Sequence, residues 1–185
     1  MPILVLILVL VTVAVLWYIA TYNRLVRSKT MLTEAWSGID VQLKRRHDLI
    51  PNLVETVKGY SRHEQKVFTD ISELRSRSIA AGDVKERTAA ETALTAGLRT
   101  LFAVAEAYPE LKANTNFLDL QQQLAGIESE LQLARRYYNG TARDFNVLVE
   151  SFPSRVVAAQ NGFRAADFFE LESATERETP AVKFE

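Results

Sequence analysis

From Ile3 to Ala20 the chain carries no charged residue, and Thr12 is its one polar interruption. A threonine inside a helix can return its hydroxyl to a carbonyl of the preceding turn, so Thr12 does not break the run. Eighteen residues rising ~1.5 Å each span about 27 Å, enough to cross a thin bilayer core. Trp17, Tyr18 and Tyr22 stand at the far end, forming an interface belt where amphipathic rings favour the membrane–water boundary. A cleaved signal peptide is the rival reading. No basic residue precedes the run, its apolar part exceeds a usual signal core, and no small-x-small cleavage pattern follows. Residues 1–22 therefore read as a single-pass transmembrane anchor.

Charge predicts the orientation. Arg24, Arg27 and Lys29 follow the run and nothing basic precedes it, which favours an outside N-terminus and a cytoplasmic C-terminal domain. A periplasmic domain is the alternative. The three cations sit within two turns of the interface, where contact with lipid headgroups is their expected role.

Beyond the anchor the apolar residues recur at helical spacing. Glycine and proline number only 7 and 5, too few for a fold of many strands and turns. The fold expected is all-α: the transmembrane helix continues into an elongated antiparallel four-helix bundle over 23–170, with a short extra C-terminal helix. An acidic tail occupies 171–185. A first helix carries Leu25, Leu32, Trp36, Ile39 and Leu43, with Lys29 the misfit, and reaches about 36 Å beyond the anchor by Arg46. Lys44-Arg45-Arg46-His47-Asp48 reads as a corner, Asp48 as an N-cap and Pro51 as a first-turn residue. A second helix, about 49–78, carries Ile50, Leu53, Val57, Glu64, Phe68 and Ile71. Gly82-Asp83 signals a turn, and a third helix with Ala89, Ala90, Ala93, Ala96 and Gly97 runs to Pro109. Those small residues serve either close helix approach or plain helix propensity. A fourth begins at Thr115 or Asn116 and lasts to Phe152-Pro153; a short helix near 155–160 closes on Asn161-Gly162. With short connections, the turn near Gly82 and the Phe-rich end fall near the bilayer and the basic corner at the far end.

The stretch WSGIDVQLKRRHDLIPNLVETVKGYSRHE (Trp36–Glu64) resembles the signature segment of the LemA family of bacterial membrane-anchored proteins. ARRYYNGTARDFNVLVESFPS and GFRAADFFE…VKF are similar to that family's C-terminal half. The resemblance implies a one-pass anchor and a helical domain without an established biochemical activity. It also suggests a link to envelope quality control, including association with HtpX-type membrane metalloproteases.

Several chemistries find no support. The chain has no cysteine, only two histidines (His47 and His63) and no HExxH, so neither a thiolate nor a zincin-type metal site is indicated. No cofactor is implied, and no phosphate loop or nucleophile elbow occurs. A net charge of −1 gives no general attraction to nucleic acid. Lys44, Arg45, Arg46 and His47 are the candidate partner-binding residues, against a solvated helix end as the plain alternative. Glu64, Arg135, Tyr138 and Asn139 are expected to form a structural polar cluster inside the bundle. Phe163, Phe168 and Phe169 are membrane-proximal aromatics that either cap the core or enter the interface. The function expected is a non-enzymatic, membrane-tethered scaffold or adaptor for protein partners, with self-association into a homo-oligomer a further expectation. A lipid-binding or membrane-shaping protein using its membrane-proximal cations and phenylalanines is the alternative.

Overall fold

A computed structural model describes residues 1–61 and 63–170. The acidic tail expected over 171–185 lies outside the described residues. Among the described residues all regular structure is helical: α1 (Pro2–Lys58), α2 (Gln65–Ala80), α3 (Val84–Glu106), α4 (Pro109–Lys112), α5 (Thr115–Glu150) and α6 (Ser154–Gln160).

The expected corner at Lys44–Asp48 does not exist, because α1 passes straight through it. The reason lies in the seam. Leu25, Leu32, Ile39, Arg46 and Leu53 repeat every seven residues, with Trp36, Leu43, Ile50 and Val57 between them. The rhythm never breaks; Arg46 simply occupies an inward position and is 1% exposed. Asp48 is no cap but an exposed residue whose carboxylate lies 3.1 Å from Lys44 Nζ, one turn back.

Pro51 sits inside α1 rather than at a helix start. Lacking an N–H, it leaves the His47 carbonyl, four residues earlier, without its helical donor. Arg75 of α2 supplies the replacement: its Nε donates to His47 O at 2.7 Å. The proline that reads as a boundary thus creates an anchor point for the neighbouring helix.

The chain reverses only after Lys58. The N–H groups of Tyr60 and Ser61 both donate to Val57 O at 3.0 Å, and α2 follows. The hairpin between α2 and α3 is set by Asp83, whose carboxylate accepts from Glu86 N–H at 2.8 Å. In return Gly82 N–H donates to the Glu86 carboxylate at 3.1 Å, a reciprocal cap that satisfies two otherwise free donors. Because α2 starts at Gln65 rather than 49, it returns only as far as His47, against which Ser78 lies. On α3, Ala90 is buried while Ala89 and Ala96 are exposed. At Gly97 α2 comes close: a Cβ there would meet Leu74 Cδ1 at 3.0 Å. The small residues thus serve close approach on one face and plain helix formation on the other.

Two compact units divide the described residues: Met1–Val41 with Leu131–Phe168, and Gln42–Glu130 with Phe169 and Glu170. In the second, α1, α2, α3 and α5 make an up-down-up-down bundle whose core gathers Ile50, Leu53, Val57, Ile71, Leu94 and Leu101. The first unit is built on the α1–α5 pair. Leu25 packs with Phe145, Val157 and Ala158, and Leu32 and Val149 border them. Trp36 meets Tyr138 edge-on at 5.3 Å, so α5 descends as α1 rises. Gly162, at φ 72°, adopts the left-handed conformation that ends α6, and Phe163 N–H donates to Ala158 O at 3.0 Å.

Candidate functional site

The four residues of the expected docking corner divide between inside and outside. Lys44 and Arg45 are exposed; Arg46 and His47 are buried. This corrects the expectation of an accessible basic patch, because α1 turns Arg46 and His47 into the bundle core. There they meet Glu91 of α3, which is wholly buried and accepts from three side chains. Arg46 Nη1 and Ser78 Oγ are both in short contact with its carboxylate, and His47 Nε2 lies 2.7 Å from Oε1. A carboxylate accepts only, so His47 presents its N–H at Nε2. Arg46 has further partners: Nη2 donates to Thr95 Oγ1 at 2.8 Å, and Nε lies 2.7 Å from Glu128 Oε1 on α5. The brace therefore ties the four long helices of this unit. Burial by itself would push the Glu91 carboxyl up. The His47 hydrogen bond, the Arg46 charge and the Ser78 hydroxyl more than offset it, and hold the group below the usual carboxylate range.

Ser78, His47 and a carboxylate within bonding distance invite comparison with a hydrolytic triad, but the roles are wrong. Ser78 gives its proton to Glu91 rather than to an imidazole nitrogen, and Glu91 faces the same histidine nitrogen as the serine does. Serine, histidine and carboxylate are all buried.

The internal cluster expected around Glu64 draws its members from both units. Glu64 is the N-cap residue of α2, makes no side-chain cap bond, and belongs to the second unit, whereas Arg135, Tyr138 and Asn139 belong to the first. Tyr138 is buried and donates its hydroxyl to Asp167 O at 2.9 Å. Burial, with Asp167 adding to it, pushes its phenol up, so it remains a donor.

The C-terminal phenylalanines do not share one place. Phe163 packs edge-on to Tyr22 and Phe145, with centroids 6.1 and 6.3 Å away. The chain then runs back along α5, held by Asn146, which accepts from Ala166 N–H at 2.7 Å and donates to Ala166 O at 2.9 Å. By Asp167 it has reached Tyr138, so Phe168 lies away from the anchor; Phe169 is buried in the other unit. Of the three, Phe163 is the one that packs against a residue of the anchor, Tyr22. Asn161 Nδ2 adds a bond to Tyr18 Oη at 2.8 Å, placing the end of α6 beside the aromatic belt, where Trp17 and Tyr22 remain exposed.

The cations after the anchor also separate. Arg24 and Arg27 border a groove of about 610 Å³ between α1 and α5, with Met31, Asp144, Val147 and Leu148. Lys29 turns away from it, its ammonium 5.8 Å from the Phe163 ring centre. The side chains of residues 3–20 are exposed on every side of α1, a helix long and apolar enough to cross a membrane. Among the described residues no three His, Asp or Glu side chains gather as an ion-binding group.

The brace explains what part of the signature segment does, since two of its basic residues, Arg46 and His47, are consumed in holding α1 to α3 and α5. Comparison with known proteins agrees with that segment's resemblance. The chain is 23% identical to magnetosome protein MamQ 2 of Paramagnetospirillum magneticum, over 95% of this chain and 75% of that protein. It is 27% identical to protein LemA of Metamycoplasma hominis, over 76% of this chain and 65% of that protein. For magnetosome protein MamQ of Magnetospirillum gryphiswaldense the identity is 22%, over 79% and 62%. The LemA family model matches residues 35–184, which include every residue of the brace, and the chain belongs to the LemA family as a membrane-anchored helical protein.

Proposed function

We propose that this protein is a non-enzymatic, membrane-tethered scaffold that presents a bundle surface to protein partners. The observation that carries this reading is the outer face of α5. Leu133 and Tyr137 are 48% and 59% exposed, and with Gly140 they fall at the spacing of one helical stripe. Large apolar side chains aligned on one exposed face are a surface for another helix. The polar groups with chemical potential are meanwhile buried in the brace and serve shape. The domain faces the cytoplasm on this reading, because Arg24, Arg27 and Lys29 flank the anchor on that side. A membrane metalloprotease of the HtpX type is the first partner to test, and a second copy of this chain the next.

Photo-crosslinking of the full-length protein in its membrane tests the reading. A crosslinker at Leu133 or Tyr137 is expected to trap a discrete partner that Tyr137→Arg abolishes. The same probe at Arg45 is expected to trap none. Capture at Arg45 with nothing at either α5 position would overturn it.

A further inference from the structure

We propose that the groove bordered by Arg24 and Arg27 is a binding site for one anionic phospholipid. The inference rests on the membrane-tethered reading and adds a ligand to it. Arg24 lies four residues past Ala20 and Arg27 seven, about 6 and 10 Å along the helix. The headgroup layer is roughly 5–8 Å deep on each face, so both guanidinium groups, at the end of long stems, reach lipid phosphates. Neither arginine has a carboxylate within ion-pairing distance among the described residues, so both forks are available for a phosphodiester.

The remaining walls suit the rest of such a molecule. Met31, Val147 and Leu148 give the groove apolar sides, and Val147 is 55% exposed. Asn161 bonded to Tyr18 sets the end of α6 at the belt, on the Lys29 side of α1 rather than in the groove. Asp144 is the one opposing charge on its wall and sets a ceiling on affinity. Lys29 is an internal control. It sits about 3 Å beyond Arg27 along α1 and faces Phe163, outside the groove. A diffuse electrostatic attraction would count Lys29 nearly as much as Arg27, whereas a site counts the two arginines alone.

Full-length protein in lipid nanodiscs, with spin-labelled phosphatidylglycerol compared against spin-labelled phosphatidylcholine, measures the preference. Each cation near an anionic surface contributes about fivefold, so Arg24→Gln with Arg27→Gln is expected to lower the phosphatidylglycerol preference roughly 30-fold. Lys29→Gln is expected to leave it within about twofold, and Asp144→Asn to raise it. Val147→Trp keeps every charge and fills the groove, so it too is expected to abolish the preference; helical circular dichroism checks that each variant is folded. Equal losses from Lys29→Gln and the arginine pair, or no loss from Val147→Trp, would overturn the site. Displacement by inorganic phosphate at moderate concentration would overturn the lipid as its source. Protein that assembles into nanodiscs but shows no preference refutes the site alone. Protein that stays in the aqueous phase refutes the tether, and the site with it.

Discussion

Glu91→Gln isolates the brace. The substitution keeps the shape of the side chain and removes the charge that Arg46, His47 and Ser78 share. Removing one partner of a buried ion pair costs about 3–5 kcal/mol, because the other charge stays desolvated without compensation. Here Arg46 keeps Glu128, at 2.7 Å and partly open to water, together with Thr95, so the lower end applies. A loss of ~3 kcal/mol lowers the midpoint of thermal unfolding by roughly 6–12 °C in a chain of this size. Circular dichroism of the full-length protein in detergent micelles reads it. Glu128→Gln is the contrast: its carboxylate is 38% exposed, and the loss expected is under ~1 kcal/mol. Replacing Arg46 and Glu91 together by methionine and leucine is expected to recover most of the stability, since apolar packing substitutes well for a buried pair. A midpoint for Glu91→Gln within about 1 °C of the parent would refute the claim that the pair bears on stability.

The same carboxylate gives a pH dependence. Its folded pKa lies below the ordinary 4.5, so its contribution is complete above that value and is lost as pH falls below it through the folded pKa. Stability measured from neutral pH downward should therefore drop less steeply below 4.5 in Glu91→Gln than in the parent. Arg75→Ala should cost ~1.5–3 kcal/mol by leaving the His47 carbonyl without a donor, and much less when Pro51→Ala restores the helical N–H; chemical denaturation of the four proteins in a double-mutant cycle checks this. Gly97→Leu should destabilise by several kcal/mol because even a Cβ there meets Leu74 at 3.0 Å, whereas Gly97→Ala should be nearly neutral, the flexible Leu74 end yielding while helix propensity improves. Tyr138→Phe should cost ~1 kcal/mol through the lost bond to Asp167 O, read in the same unfolding assay.

The helical class, the anchor and the late chain boundaries were legible because periodicity and caps report directly on local structure. Asp83, Gly162 and Pro109 behave as their chemistry dictates. The corner was misread for a physical reason. A charged residue in an apolar seam reads as a break, and only a partner on another helix makes its burial tolerable. Arg46 finds Glu91, 45 residues away, and nothing local announces the pairing. A signal was available nonetheless. Arg46 falls on the seven-residue repeat of α1, and Glu91 stands between Ala90 and Leu94 on the inward face of α3, so two seams each carry one charge of opposite sign. Pro51 misleads in the same way, since the donor that replaces its missing N–H comes from α2. The placement of Phe168 depends on Asn146 holding an extended segment, a long-range contact with no sequence pattern.

Backbone hydrogen exchange across residues 39–57 of the membrane-embedded protein tests the central claim most directly. If α1 is continuous and its basic residues are braced inside, the amides of Lys44–Leu49 exchange as slowly as those of Ile39–Leu43, and Glu91→Gln accelerates both sets together. Fast exchange confined to Lys44–Asp48 in the parent protein, unchanged by Glu91→Gln, would restore an exposed corner and contradict the account.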